Sequence, residues 1–355
     1  MHRPCRILLA GNGDVAMSQA VQQAPVDAWR TARSLPFDRI PAIDMAAFLD
    51  GSDLQGVADR IGAACRNVGF LYLVNHGIPA DLVDAAMNEA RRFFALPVER
   101  KLRIDIARSP AHRGYFPFFA ENNDPKNARD LKEGFDIARD LPPDDLSVRA
   151  GKPLHGPNVW PADLPGFREV IEDYYAALTK LAGQLMEAFA LSLHLPQKYF
   201  RPMLDEAMGA LRLLHYPPQP PAADANVVGT GSHTDYGCLT ILAQDTVGGL
   251  QVRNSAGEWV AAPPVPGAFV VNIGDQMARW TNDVFAATHH RVINTSGRER
   301  YSMPFFFEPN YDAVISCLDT CRSAEHPAKY ADVVAGEYLV SRFNDTFSYR
   351  AAETV

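Results

Sequence analysis

The sequence predicts an α+β fold in which helices flank a double-sheet, jelly-roll core. After about residue 210 the chain breaks into short strand-like runs: "ALRLLHY", "CLTILAQD", "GLQVRN", "EWVAAPP", "AFVVNIGD", "ATHHRVIN" and "RYSMPFFFEP". Gly, Pro, Asn and Asp separate them, and closely spaced strands with turn signals suggest a sandwich or barrel of this kind. Before that point the apolar residues recur at helical steps instead. No internal repeat and no long linker divides the 355 residues, so one compact unit is expected.

Taken in order, residues 1–35 are polar, rich in Gln and Ala, and read as a poorly ordered leader. Within them Gly11 to Ala16 matches a glycine-rich dinucleotide pattern, but Pro25 falls where the required helix should continue and no second strand follows. Residues 36–150 read as an N-terminal helical and loop region. "DLQGVADRIGAACRNVG" is helical by its spacing, "FLYLVNHGIP" is a strand ending in a turn, and "PADLVDAAMNEARRFFAL" is a helix with Pro79 suited to its first turn. The Pro-, Asp- and Asn-rich stretch 104–165 reads as long loops with short extended pieces, a kind of segment that often carries function.

Residues 151–355 hold the long helix, the β core and a closing helix. In the long helix Phe167, Ile171, Tyr174, Leu178, Leu181, Leu185 and Phe189 form one apolar stripe, which is packing. "AKYADVVAGEYLVSRFNDTF" is the closing helix.

Composition narrows the functional classes. The chain is 47% hydrophobic and 21% charged, with a formal net charge of -8, and it has no basic tract of the kind that nucleic acid requires. A small-molecule partner is expected instead. No apolar run has the length of a membrane span, and the five cysteines are odd in number and form no CxxC, which fits a reduced, cytoplasmic protein.

Chemistry concentrates in three short stretches. In "GSHTDYGCLTIL", His233 and Asp235 are two apart at the expected start of a strand, so both side chains project to one face. An imidazole and a carboxylate together are two thirds of a two-histidine, one-carboxylate facial site, which suits ferrous iron and leaves adjacent positions open. The third ligand must come from another strand, and "ATHHRVIN" offers both His289 and His290. Arg291 would share the face of His289 and bring a cation to the metal, so periodicity favours His290. In "RYS", Arg300 and Ser302 again share one face, and a guanidinium beside a hydroxyl suits a carboxylate.

These stretches, with "IPAIDM", "GFLYLVNHGIP", "HYPP", "GGLQV", "VVNIGDQM" and "TND" in the same order, resemble the isopenicillin N synthase-like branch of the 2-oxoglutarate- and iron(II)-dependent oxygenases. The resemblance covers about residues 38–350 and implies a double-stranded β-helix core. It also implies iron(II) held by His233, Asp235 and His290, since the distal ligand directly precedes Arg-Val and lies ten residues before the RxS arginine (300 − 290 = 10). His289 is then a turned-away neighbour. The resemblance further implies that Arg300 and Ser302 grip the distal carboxylate of 2-oxoglutarate with help from Tyr216, and that O2 is consumed. Leu214 stands where many relatives carry an asparagine that assists the cosubstrate.

The implied activity is hydroxylation of a C–H bond of a small-molecule metabolite, with release of succinate and CO2. The alternatives are a 2-oxoglutarate-independent oxidase of the same family performing ring closure or desaturation, and a catalytically silent ligand-binding relative. Expected walls of the substrate pocket are Tyr115, Phe118, Phe135, Phe305 and Phe307, with Arg113, Lys132 or Glu133 to orient a polar end.

Overall fold

Alternation along the strands is what separates a helix-covered face from a cavity face. The computed structural model describes residues 39–124, 129–219 and 226–351. The expected leader and its glycine-rich stretch lie outside the described residues.

Strands β1 (Ala42–Asp44), β2 (Phe70–Val74), β3 (Gly114–Phe116), β4 (Arg129–Asp130) and β5 (Glu133–Ala138) come from the N-terminal half. Next are β6 (Ala210–Tyr216), β7 (Val227–Val228), β8 (Thr230–His233), β9 (Leu239–Gln244) and β10 (Leu250–Arg253). They are followed by β11 (Trp259–Ala261), β12 (Phe269–Ile273), β13 (His290–Val292) and β14 (Arg300–Phe307). Two short strands, β15 (Val314–Ile315) and β16 (Val333–Val334), pair with each other. The major sheet runs β1-β2-β12-β9-β14-β6-β5-β3 and the minor sheet β11-β10-β13-β8, which gives the expected double-sheet core. Every pairing within the two sheets is antiparallel except β1 with β2.

The odd-numbered apolar residues of β9, β12 and β14 (Ile241, Val271 and Phe305 among them) join one large core beneath the helices. Their neighbours Thr240, Leu242, Asn272 and Phe306 face the minor sheet and line a cavity between the two layers. Phe305 is fully buried, and its loss should cost about 3–5 kcal/mol through lost contacts and the void left behind. β14 lies between β9 and β6. Its ladder to β6 is recorded at Arg300–Ser302 and again at Phe305–Phe306, and the gap includes Pro304, which has no N–H to donate.

The helices pack where their spacing placed them. Leu54–Asn67 is capped by the Asp53 carboxylate, which accepts from Gly56 N at 2.9 Å. Ala80–Phe94 begins one residue after Pro79, which sits at the cap with an extended ψ of 137 instead of in the first turn. Phe167–Ser192 buries the predicted stripe in the same core as Ile43, Phe93 and Leu318, so the N- and C-terminal halves share one hydrophobic cluster. The closing helix Ala335–Thr346 sends Leu339 and Phe343 to the cavity wall. No helix among the described residues is long and apolar enough to cross a membrane.

Candidate metal and cosubstrate site

His233 is the last residue of β8, and Asp235 lies just beyond it in the turn leading to β9. The HTD stretch was expected at the start of a strand; it ends one instead. The turn bends the chain so that His233 and Asp235 approach each other. β13 supplies the third group, because His290 stands opposite His233 in the antiparallel register. The ligand atoms of His233, Asp235 and His290 all lie within 4.8 Å of one another. The Oδ1 atom of Asp235 is 3.6 Å from His233 Nε2 and 3.5 Å from His290 Nε2.

Each of the three is oriented by a second contact. His233 Nδ1 lies 2.8 Å from the Gly231 carbonyl, and His290 Nδ1 lies 3.1 Å from the Thr288 carbonyl. A carbonyl only accepts, so the proton belongs on Nδ1 and each Nε2 is left with a bare lone pair. Asp235 Oδ2 accepts from Thr240 Oγ1 at 2.5 Å and Asn272 Nδ2 at 2.7 Å, which turns Oδ1 toward the histidines. Burial alone would raise the Asp235 carboxyl, but the neighbouring His290 and His233 and the Asn272 amide hold it well below the usual carboxylate range. Two imidazoles and one ionised carboxylate form a donor set that fits a divalent transition metal with its remaining positions open.

His289 points elsewhere. It is exposed, its Nδ1 lies 3.3 Å from Ser232 Oγ, and it does not line the cavity. Arg291 shares that outward face and lies 4.0 Å over the Trp259 ring.

Arg300 is fully buried at the same cavity. Its Nε donates to Gly248 O at 2.6 Å, Nη1 to Ser302 Oγ at 3.1 Å and Nη2 to Gln244 Oε1 at 3.0 Å. A guanidinium carries five N–H groups, so one hydrogen on each terminal nitrogen is left for a ligand. The guanidinium carbon lies 4.7 Å over the Tyr216 ring, which holds its plane. Gly248 and Gly249 both have positive φ, 84 and 99, and a Cβ on Gly249 would meet Ile293 O at 2.7 Å. The two glycines of "GGLQV" are therefore what brings the Gly248 carbonyl to Arg300.

The cavity encloses about 1170 Å³ of non-protein space, its mouth included. Lys132 and Arg113 line it, as expected. The aromatic expectations need correction. Tyr115 and Phe135 belong to the core beneath the helices, with the Tyr115 hydroxyl donating to Glu133 at 2.6 Å. Phe305 and Phe307 lie on the core face of β14, and Phe306 between them is the one that reaches the cavity. Phe118 is 36% exposed and stands near His215, outside the cavity. Glu133 turns away to Lys101 and His215.

Sequence reasoning picked out Lys132 but missed the buried charges that surround it. Arg212 donates to both oxygens of Asp136 and both of Glu121 at 2.7–2.9 Å. Lys132 joins Glu121 at 3.0 Å and Asp130 at 2.9 Å. Burial opposes the charge on Glu121, yet Arg212 and Lys132 outweigh it and bring the carboxyl down to about 2.

The chain resembles known proteins over most of its length. Residues 40–163 match the family described as non-haem dioxygenase in morphine synthesis N-terminal, and residues 207–309 match the 2OG-Fe(II) oxygenase superfamily. A 2-oxoglutarate-Fe(II) type oxidoreductase, hxnY of Emericella nidulans, is 40% identical over 313 residues, covering 85% of this chain and 90% of that protein.

The protein belongs to the 2-oxoglutarate- and iron(II)-dependent oxygenase family.

The homoarginine-6-hydroxylase 2-ODD-C23.1 of Arabidopsis thaliana is another member of the family, 35% identical over 88% of this chain and 98% of its own length. Among solved structures, a full-length Neurospora crassa protein in complex with alpha-KG superposes with a TM-score of 0.77 at 33% identity, covering 88% of this chain and 98% of that one. The same Neurospora protein has also been solved with alpha-KG and thymine, and JOX2 with 2OG, Fe and JA. This oxygenase is accordingly a dioxygenase that uses iron(II), 2-oxoglutarate and O2, and its core is the jelly roll of its structural relatives.

Proposed function

We propose that His233, Asp235 and His290 hold the iron(II), that Arg300 and Ser302 with Tyr216 hold the distal carboxylate of 2-oxoglutarate, and that the protein hydroxylates a C–H bond of a small metabolite in the cavity beside them. The observation that carries this reading is the convergence of three metal-type donors and one buried arginine with spare N–H groups on a single cavity.

Bound iron(II) supplies the oxidising chemistry, in which O2 decarboxylates 2-oxoglutarate to succinate and CO2 and one oxygen atom goes to the substrate. The chain's own residues arrange this. The Gly231 and Thr288 carbonyls keep each imidazole proton on Nδ1 and each Nε2 free to coordinate. Thr240 and Asn272 hold the Asp235 carboxylate by its other oxygen. Arg300, fixed by Gly248, Ser302 and Gln244, offers a carboxylate two N–H groups without having to reorganise. Leu214, opposite Ser302 in the β14–β6 register, brings an apolar side chain where an amide would add a polar contact, so cosubstrate binding rests more heavily on Arg300.

The relatives' names span an amino acid, homoarginine, and a complex with thymine, which supports a compact, polar substrate. Free thiols at Cys65, Cys238 and Cys317 support a reduced, cytoplasmic setting. The test is a metabolite screen for succinate release triggered by substrate. One succinate per oxidised product is expected, and substrate oxidation without succinate would overturn the 2-oxoglutarate reading.

A further inference from the structure

Arg300, Ser302, Pro304, Phe306 and Glu308 are alternate residues along β14 and just past its end, and all five line the cavity. A strand advances roughly 3.3 Å per residue, so Glu308 lies roughly 25 Å along the chain from the carboxylate clamp. Glu308 therefore puts a second polar group on this cavity wall beyond Phe306, within reach of the Asp235 charge.

There the hydrogen bonding is incomplete. The other wall charges are matched: Arg212 with Asp136 and Glu121, and Lys132 with Glu121 and Asp130. Glu308 is 3% exposed, and its Oε2 is buried without a hydrogen-bond partner. Arg113 is 6% exposed; its terminal nitrogens donate to the carbonyls of Ala111, His112 and Leu154, but its Nε is buried and unpartnered as well. The two groups are close enough for each to act on the other's ionisation, yet they make no hydrogen bond with each other. A buried acceptor and a buried donor without partners, on two residues that line one cavity, cost energy until a guest that displaces their cover satisfies both.

We propose that Glu308 and Arg113 form a substrate-recognition pair for a neutral amide-type edge, an N–H beside a C=O as in a carboxamide or lactam, with the N–H donating to the Glu308 carboxyl and the carbonyl accepting from Arg113 Nε–H. The proposal rests on the assignment of this cavity to the substrate. A cationic guest would meet the Arg113 guanidinium, and an anionic one would meet the Asp235 carboxylate. Burial and the Asp235 charge push the Glu308 carboxyl up to about 8, and in either protonation state it keeps an oxygen that accepts from an N–H. An amide edge offers the matching pair of atoms.

The experiment is calorimetric titration of the full-length protein, loaded with iron(II) and 2-oxoglutarate under argon, with 2-piperidone, N-methyl-2-piperidone and n-butylguanidinium. The lactam should bind, and its N-methyl form, lacking the N–H, should bind at least tenfold more weakly. Glu308→Gln keeps a donor and an acceptor and should bind 2-piperidone within about threefold of wild type, while Glu308→Met should lose at least tenfold. If Glu308→Met fails to fold, the comparison of the two lactams on wild type and Glu308→Gln still decides. Tighter binding of n-butylguanidinium that disappears in Glu308→Gln would overturn the proposal in favour of a cation site, and equal binding of the two lactams would overturn it outright. Binding of 2-oxoglutarate, measured in the loading step, reports separately on the site itself: its loss would fault the Arg300 assignment and not the Glu308 pair.

Discussion

His290 stands directly across the β13–β8 ladder from His233, with their ring centroids 4.2 Å apart. His289, one residue earlier, is exposed beside Ser232. His290→Ala should therefore abolish iron(II) binding measured by anaerobic equilibrium dialysis, while His289→Ala should leave it within about threefold. The reverse order would refute the register.

Asn272 and Thr240 hold Asp235 by the oxygen that faces away from the histidines. Removing such an outer contact typically weakens metal binding by about 10–100-fold. Asn272→Ala should fall in that range in the same dialysis, with the far-UV spectrum unchanged. An affinity equal to wild type would mean that the carboxylate needs no such support.

Arg300→Ala removes a charge-assisted, buried contact worth roughly 2 kcal/mol or more, or about thirtyfold in 2-oxoglutarate affinity. Arg300→Lys keeps the charge but not the fork and should recover only part of the loss. Titration of 2-oxoglutarate into the iron-loaded variants reads this directly, and unchanged affinity in Arg300→Ala would remove the clamp assignment.

Glu308 gives a pH signature. Its folded carboxyl is pushed up to about 8, chiefly by burial and Asp235 and against the pull of Arg113 and Arg212, whereas an unfolded glutamate titrates near its ordinary value of 4.5. Between those values the folded state holds the extra proton, so stability from this group falls as pH rises through the window, by up to about 1.4 kcal/mol per pH unit. Glu308→Gln cannot titrate. Its melting temperature relative to wild type should climb from pH 5 to pH 8, and a flat difference would place the carboxyl at its ordinary value.

Arg212 holds two buried carboxylates, Glu121 and Asp136. Truncating it leaves Asp136 unpaired and Glu121 with Lys132 alone, so Arg212→Met should destabilise the fold by about 3–5 kcal/mol in urea titrations. Replacing all three by apolar residues should cost much less, and an equally damaging triple variant would show that the wall needs the charges for some other reason.

Period and motif made the His233, Asp235 and His290 cluster legible in the sequence: Arg300 and Ser302 share a strand face by spacing, whereas His233 and Asp235 are brought together by the turn after β8. The substrate wall was less legible, and one part of it could have been read. The alternation that puts Arg300 and Ser302 on one face continues through Pro304, Phe306 and Glu308, so Phe305, three residues after Ser302, falls on the opposite face. Tyr115 and Phe135 went to the core because β3 and β5 extend the major sheet, which the loop-like composition of 104–165 concealed. Lys132 was expected at the pocket, but nothing in the sequence marked Glu121, Asp130 and Asp136 as its buried surroundings. They are buried only because Arg212 and one another neutralise them, a long-range pairing that no local pattern announces.

The alternating face of β14 also works as a ruler. With grip, wall and far anchor all set by counting in twos along one ribbon, deleting a single residue between Met303 and Phe307 would rotate everything downstream by half a turn, delivering Phe307 to the wet side and hiding Glu308 in oil. Changes of substrate preference in such a chain can come by exchanging one side chain for another, whereas a change in length at this place would erase the preference altogether.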